Sequence, residues 1–300
     1  MTKLKVGTHI LDITNEDKIY FPKITKGELI DYYLKISPYM LQHIKDRPLM
    51  LQRFPEGING QSFFQKNTPD YFPSWIKTIE VPKSDGTTNF ALCQNAATLV
   101  YLANFGTITF HSWLSRFTKL DYPDKLIFDL DPSTSDFSNI IKLALLLKAI
   151  LEQTGLNPYV MTTGSHGMHV VCPIQPTVDF KHVKMFADDC STILLQKYPE
   201  LITLEIRKNK RGNKIFIDTL RNQVGATAAV PYTVRPYPKA PVATPLEWDE
   251  LDNPKLTSSQ VYNINTIFSR LEKMGDPWKE FFKKKKSLIL PRKKLDKLIK

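Results

Sequence analysis

The sequence predicts a mixed α/β (α+β) fold, and three observations carry that prediction. The run Lys125-Leu126-Ile127-Phe128-Asp129-Leu130-Asp131-Pro132 is apolar between its ends except for two carboxylates, which marks a buried strand. Capped segments with a helical apolar period alternate with such strands along the chain. Finally, 300 residues with 42% hydrophobic content suffice for one large domain or two closely packed ones.

The elements follow in order. Asp17-Lys18-Ile19-Tyr20-Phe21-Pro22 leads into Thr25-Lys26-Gly27-Glu28, a capping box that opens a helix with Leu29, Tyr33, Met40 and Ile44 on its apolar side. Pro38 should kink or break it. Lys18 and Lys26 flank that helix entrance, where backbone N–H groups favour an anion; exposed solubilising charges are the alternative. Pro48 to Pro55, with Arg53 near its end, reads as a strand. Phe63, Phe64 and Lys66 follow, two aromatics and a cation that can stack on bases and touch a phosphate, or one core ring beside one lid ring. Gln94–Phe105 reads as a helix and Thr107–Trp113 as a strand carrying His111, in range to neighbour the Asp129 strand in one sheet.

On the 125–132 strand, alternation points Asp129 and Asp131 to one side and Phe128 and Leu130 to the other. Two like charges so placed raise one another's pKa unless a multivalent cation neutralises them, and hard oxygen donors suit Mg²⁺ or Mn²⁺. The alternative is a carboxylate pair that caps the helix opening near Asp136. That helix, capped by Ser135 or Asp136, runs through Ile140, Ala144, Leu147 and Leu151 to Gly155. Pro158–Thr163 and Met168–Cys172 form a hairpin around Gly164-Ser165-His166-Gly167, whose successive N–H groups, hydroxyl and imidazoles (with His169) make an anion cradle suited to a triphosphate, or an ordinary turn. A helix with Phe180, Val183, Phe186, Cys190 and Ile193 on one face follows. After a basic, exposed turn at 207–212, Lys214–Asp218 ends a strand on a third carboxylate, with Arg221 and Arg235 beyond it, able to pair with carboxylates or hold phosphates.

Composition adds limits. The net charge is +11, of which the last 28 residues hold +8: 11 Lys and Arg against three acids from Lys273 to Lys300. That basic tail either tracks phosphates or is simply solvated. Three scattered cysteines argue against a disulfide framework or a Cys-based zinc site. No apolar run is long enough to span a bilayer, so a soluble, intracellular (cytoplasmic) protein without a membrane partner is expected.

Phe128-Asp129-Leu130-Asp131-Pro132, Thr163-Gly164-Ser165-His166-Gly167-Met168-His169 and Ile217-Asp218, then Pro231-Tyr232-Thr233-Val234-Arg235 and Pro245-Leu246-Glu247-Trp248, together resemble the polymerase domain of the bacterial ligase D family, within the archaeo-eukaryotic primase superfamily. The resemblance spans Asp17 to about Leu251. It implies a primase-polymerase fold of two packed modules (roughly 1–105 and 106–250), an RNA-recognition-like catalytic sheet and the active site between them, then a helical return over 251–282 and a basic tail over 283–300. It further implies template-directed nucleotide addition, preferring ribonucleotides over deoxyribonucleotides and Mn²⁺ over Mg²⁺, at gaps, overhangs and breaks during end joining, with Ku and a separate DNA ligase as working partners. Asp129, Asp131 and Asp218 would hold two metal ions. Ser165, His169, Arg221 and Arg235 would surround the triphosphate, with His111 near the sugar and phosphates. Lys18 and Lys26 would receive a 5′-phosphate, and Arg53, Phe63, Phe64 and Lys66 would lie along the DNA. Family members commonly carry Lys or Arg where this chain has His166, so a phosphate contact there would be weaker and pH-dependent.

Two other classes fit parts of the pattern. Phe-Asp-Leu-Asp also opens the nucleophile motif of haloacid dehalogenase-type phosphatases, but Pro132-Ser133 follows here in place of the usual Gly-Thr, and over a hundred residues precede it. A non-catalytic DNA-binding relative is the third reading, although it would have no need of all three acids.

Overall fold

The computed structural model describes residues 2–83 and 85–299. In chain order the first elements are β1 (Thr2–Val6), β2 (His9–Ile13), β3 (Ile19–Phe21), β4 (Ile24–Thr25), α1 (Lys26–Ile44), β5 (Leu49–Arg53), β6 (Phe63–Gln65), β7 (Thr78–Lys83), β8 (Gly86–Ala91), α2 (Ala96–Asn104) and β9 (Thr107–Trp113). Then come β10 (Lys125–Asp131), α3 (Phe137–Thr154), β11 (Tyr159–Thr162), β12 (Met168–Pro173), α4 (Phe180–Lys197), β13 (Ile202–Thr203), β14 (Ile215–Asp218), β15 (Thr227–Ala229), β16 (Pro245–Leu246), α5 (Ile267–Met274) and α6 (Ile289–Ile299).

These elements form two units that interleave along the chain. Unit 1 comprises residues 1–118, 227–243 and 262–272; unit 2 comprises 119–226, 244–261 and 273–300. A cut near 105 therefore does not describe the partition, because β9 and the 227–243 segment both build unit 1.

Unit 1 centres on the sheet β15-β9-β5-β6. The capping box of α1 forms as its sequence dictates: Thr25 accepts from the Glu28 N–H while the Glu28 carboxylate accepts from the Thr25 N–H. Pro38 does not break α1, which continues to Ile44 with Ile36, Met40 and Ile44 buried. Late residues complete the core. The Tyr32 hydroxyl donates to the Tyr232 carbonyl at 2.7 Å, and the Thr233 hydroxyl accepts from the Phe110 N–H at 2.7 Å. His111 on β9 pairs with Met50 of β5 and Ala229 of β15. Thr107–Trp113 is thus not a neighbour of the Asp129 strand. Strand pairing is set by long-range packing, which proximity in sequence does not report.

Unit 2 is built on the sheet β13-β14-β10-β12-β11-β16, antiparallel except for the β13–β14 pair. Helices α3 and α4 pack on it, burying Leu143, Leu147, Val183, Phe186 and Cys190 with Leu126, Phe128 and Leu130 of β10. Asp136 accepts from the Ser138 N–H to cap α3, and Gly155 ends it at a φ of 91°. The expected tail is folded: α6 packs on α3 and α4 with Pro291 and Leu295 buried. The 207–212 turn is likewise not wholly exposed. Arg211 is buried, donates to the carbonyls of Glu205 and Ile206, and lies 4.0 Å over the Phe216 ring. No helix of the described residues is long and apolar enough to cross a membrane.

Candidate active site

Sheet register gathers the acids of unit 2. In the β10–β14 ladder Asp129 stands directly opposite Asp218, so both side chains rise from the same face, and Asp131 joins them two residues along β10. On the other flank, Asp129 stands opposite His169 of β12, whose Nε2 lies 3.4 Å from the Asp129 carboxylate. Arg221, in the short turn after β14, places its Nε 3.3 Å from Asp129 and 3.5 Å from Asp218.

Electrostatics separates the three carboxyls. Burial opposes charge on Asp129, but His169 and Arg221 outweigh it and hold that carboxyl down at about 2. Burial, then the charges of Asp129 and Asp218, push Asp131 up to about 6. Asp218 is also raised, by burial and by Asp129, despite Arg221 and the Leu220 N–H. With Arg221 as the guanidinium among them, the three carboxyls leave this face short of positive charge. Among the described residues, no three His, Cys, Asp or Glu side chains are gathered tightly enough to hold a metal as they stand; Arg221 is the neutralising partner. The donor set is nonetheless all carboxylate oxygen on one face with an unmet demand for positive charge, which fits a hard divalent cation.

Other residues hold this face in shape, and sequence reasoning did not find them. Asn222 is fully buried and continues the β14 edge with its side chain: its Oδ1 accepts from the Ile127 N–H at 2.9 Å and its Nδ2 donates to the Ile127 carbonyl at 2.7 Å. The same Nδ2 donates to the Thr219 carbonyl at 3.0 Å. Thr219 in turn donates its hydroxyl to Asp188 of α4 at 2.7 Å, and Lys184 holds that carboxylate at 2.6 Å. Two clamps therefore fix the residue that follows Asp218. Truncating Asn222→Ala would leave both backbone groups of Ile127 buried and unpaired, a cost of about 2–3 kcal/mol; the urea midpoint should fall accordingly.

The hairpin turn differs from the expected cradle. The N–H groups of Ser165 and Gly167 both turn inward onto the Thr163 hydroxyl at 3.3 Å, so they are not offered to an anion. Ser259 donates to the Gly167 carbonyl at 2.8 Å and Gln260 to the Ser165 carbonyl at 2.9 Å, pinning the turn from outside. Ser165 and His166 line a cavity of about 520 Å³ with Ser133, Thr134 and Thr257.

The remaining predicted residues lie in unit 1. Phe63 and Phe64, on the edge strand β6, are 46% and 58% exposed; one core ring beside one lid ring is not what forms. Phe64 meets the His111 ring edge to face at 6.1 Å. Lys66 is exposed. Arg53 is engaged internally, donating to the Phe105 carbonyl and Gln65 and stacking 3.6 Å over the Phe105 ring. Arg235 is half-buried after β15, its N–H donating to the Pro241 carbonyl. Lys18 pairs with Glu56 at 2.7 Å. Lys26 is not a surface charge at all. It is buried, donates to the Thr14 carbonyl and hydroxyl, and is pushed down to about 8 by burial and by Lys18.

Comparison with known proteins fixes the class. A family model described as the primase-polymerase domain of LigD matches residues 25–278. The bifunctional non-homologous end joining protein LigD of Bacillus subtilis is 31% identical over 277 residues, covering 91% of this chain and 44% of the relative. The multifunctional LigD of Mycolicibacterium smegmatis is 29% identical over 269 residues, 88% of this chain and 35% of the relative. The solved polymerase domain from Mycobacterium tuberculosis ligase D in complex with DNA aligns with a TM-score of 0.86 at 28% identity, covering 91% of this chain and 98% of that one. Fold and matches together define a primase-polymerase domain. The chain belongs to the LigD primase-polymerase domain family, and it spans less than half the length of these curated relatives.

Proposed function

We propose that this chain is a template-directed nucleotidyltransferase that adds nucleotides, ribonucleotides by preference, to 3′-hydroxyl ends at gaps, overhangs and double-strand breaks during non-homologous end joining. The observation that carries this reading is the register of Asp129 against Asp218 with Asp131 on the same face; family membership supports it. The phosphatase reading loses its basis with that membership, and nothing on this face favours a binding-only relative.

Asp129, Asp131 and Asp218 would hold two divalent cations, Mn²⁺ or Mg²⁺, which supply activation of the primer hydroxyl and neutralisation of the departing pyrophosphate. The protein's own groups do the rest. His169 and Arg221 keep Asp129 ionised at neutral pH, so a donor is always ready. Once the carboxylates have other positive partners, the Arg221 fork is free to turn to phosphate oxygens. Ser165 and His169 are assigned to the triphosphate, and His111 and Arg235 to the nucleotide, on the strength of the resemblance. Exposed Phe63 and Phe64, with Lys66 beside them, suit stacking on a template without sequence choice. Ku and a separate ligase are proposed partners. The test is incubation with a gapped, 5′-phosphorylated duplex, each nucleotide type, and Mn²⁺ or Mg²⁺; no incorporation under any combination would refute the reading.

Lys26 gives this proposal a pH signature. Buried as it is, Lys26 acts on a 5′-phosphate through its charge at the helix entrance; only the ammonium form carries that charge, and it is lost as pH rises through about 8, somewhat higher once a phosphate is bound. The advantage of a 5′-phosphorylated gap over an unphosphorylated one should therefore shrink between pH 7 and pH 9.5. Lys26→Ala should abolish the advantage at pH 7 and leave no further loss when the phosphate is also removed. Additive losses would place Lys26 elsewhere.

A further inference from the structure

The residues beyond the family match, from 279 onward, carry most of the chain's excess charge, and of these residues 279–299 are folded into unit 2 rather than loose. We propose that their exposed lysines form a second nucleic-acid surface, outside the active site, that grips the phosphate backbone of duplex DNA flanking the break. The inference rests on DNA being the substrate of this protein.

The lysines are presented from a fixed frame. Phe281, Leu288 and Leu295 are buried, the Asn157 side chain donates to the Lys284 carbonyl at 3.0 Å, and Arg292 ties α6 to Asp189 of α4 at 2.6 Å. Ordering such a surface on binding costs little, because the frame is already set.

The acids of the segment are spent locally. Asp276 accepts from the Trp278 N–H at 2.9 Å, Glu280 pairs with Lys283 at 3.0 Å, and Asp296 pairs with Arg292. Lys285 is taken by Asp124 at 3.2 Å. Lys279, Lys284, Lys286, Lys293 and Lys297 remain exposed with no acidic partner among the described residues. The two stretches of chain that carry these lysines meet at the end of α3. The Lys284 carbonyl sits on Asn157, and the Lys294 amine lies where it would be 3.3 Å from a Cβ on Gly155, two residues away at the end of α3. Lys293 and Lys297 stand one helical turn apart, about 6 Å along the axis, on the side of α6 opposite Pro291 and Leu295. Duplex DNA offers a charge about every 1.7 Å of its axis, so a rigid strip of ammonium groups finds phosphates without needing a sequence. A lipid surface fits less well. The exposed apolar residues of α6, Ile289, Leu290, Leu298 and Ile299, stand at its two ends with Lys293 and Lys294 between, and make no continuous apolar stripe.

The test titrates a labelled gapped duplex with a long flank by fluorescence anisotropy, at several salt concentrations, against the full chain and a variant combining Lys284→Gln, Lys293→Gln and Lys297→Gln. Each phosphate contact contributes about 0.9 to the slope of log affinity against log salt, so the variant's slope should fall by about 2 to 3 and its low-salt affinity by roughly tenfold or more. Nucleotide addition at saturating DNA should be unchanged, and the corresponding triple Arg variant should keep the native slope. An unchanged slope in the Gln variant overturns the surface. So does normal DNA binding combined with lost binding to phosphatidylserine vesicles, which would make the strip a lipid contact. A native chain that binds no DNA overturns the nucleotidyl-transfer reading as well, so the two failures are told apart.

Discussion

Asp129→Ala and Asp218→Ala are each expected to reduce metal-dependent nucleotide addition about a thousandfold or more, measured by primer extension. Cation stabilisation of developing charge is worth several kcal/mol, and each 1.4 kcal/mol is a factor of about ten in rate. Mn²⁺ binding followed by electron paramagnetic resonance should weaken in parallel, which gives a readout independent of turnover. Stability should separate the two variants. Asp129 is charged because His169 and Arg221 favour it, so its loss leaves that imidazole and guanidinium short of a partner and lowers the melting temperature. Asp218 is raised by burial and by Asp129, so its charge opposes folding above the ordinary carboxylate range, and removing it relieves that opposition. Asp218→Ala should therefore melt at or above the native temperature while being equally inactive. If either variant extended a primer normally, the three-carboxylate assignment would be wrong.

Gly167→Ala is expected to be the most damaging single methyl group in unit 2. A Cβ at this position would sit 1.9 Å from the Leu130 carbonyl oxygen and 3.0 Å from its carbon. Backbone cannot rotate aside as a side chain can, so β10 and the start of β12 would have to part where Leu130 pairs with Met168. The cost is about 3 kcal/mol or more, a fall of roughly 6–12 °C in melting temperature. Because Asp131 follows Leu130 and His169 follows Met168, the same displacement should cut activity in the molecules that remain folded. Differential scanning calorimetry beside primer extension reads both; a native melting temperature would show the turn to be slack.

How far the sequence foretold this arrangement depends on the range of the forces involved. The β10 strand, the capping box at Thr25 and the Asp136 and Gly155 ends of α3 were legible, because each is decided by neighbours within a few residues. The sheet that β9 joins was not, since its partners Met50 and Ala229 lie far away in both directions. Asn222, Asp188 and Ser259 were invisible for a similar reason: an amide, a carboxylate or a hydroxyl becomes a clamp only when a particular backbone passes it. The α6 helix was overlooked although a signal existed. Leu288, Pro291 and Leu295 recur at helical spacing beneath the lysines, and composition hid the period. Lys26 misled in the opposite sense, since the ordinary surface preference of lysine gave no hint of the Thr14 carbonyl that draws it inward.

The interleaving of the two units bears on how the chain is made. Unit 1 lacks β15 and the Tyr232 and Thr233 partners of its core until residues 227–243 have been synthesised, more than a hundred residues after β9. At about 5–20 residues per second, the nascent first 118 residues wait several seconds with β9 unpaired along one edge. Unit 2 is also open until its last helix emerges. No single cut yields either half intact, so a fragment ending near residue 226 should misassemble or recruit holdase chaperones rather than fold as a smaller enzyme.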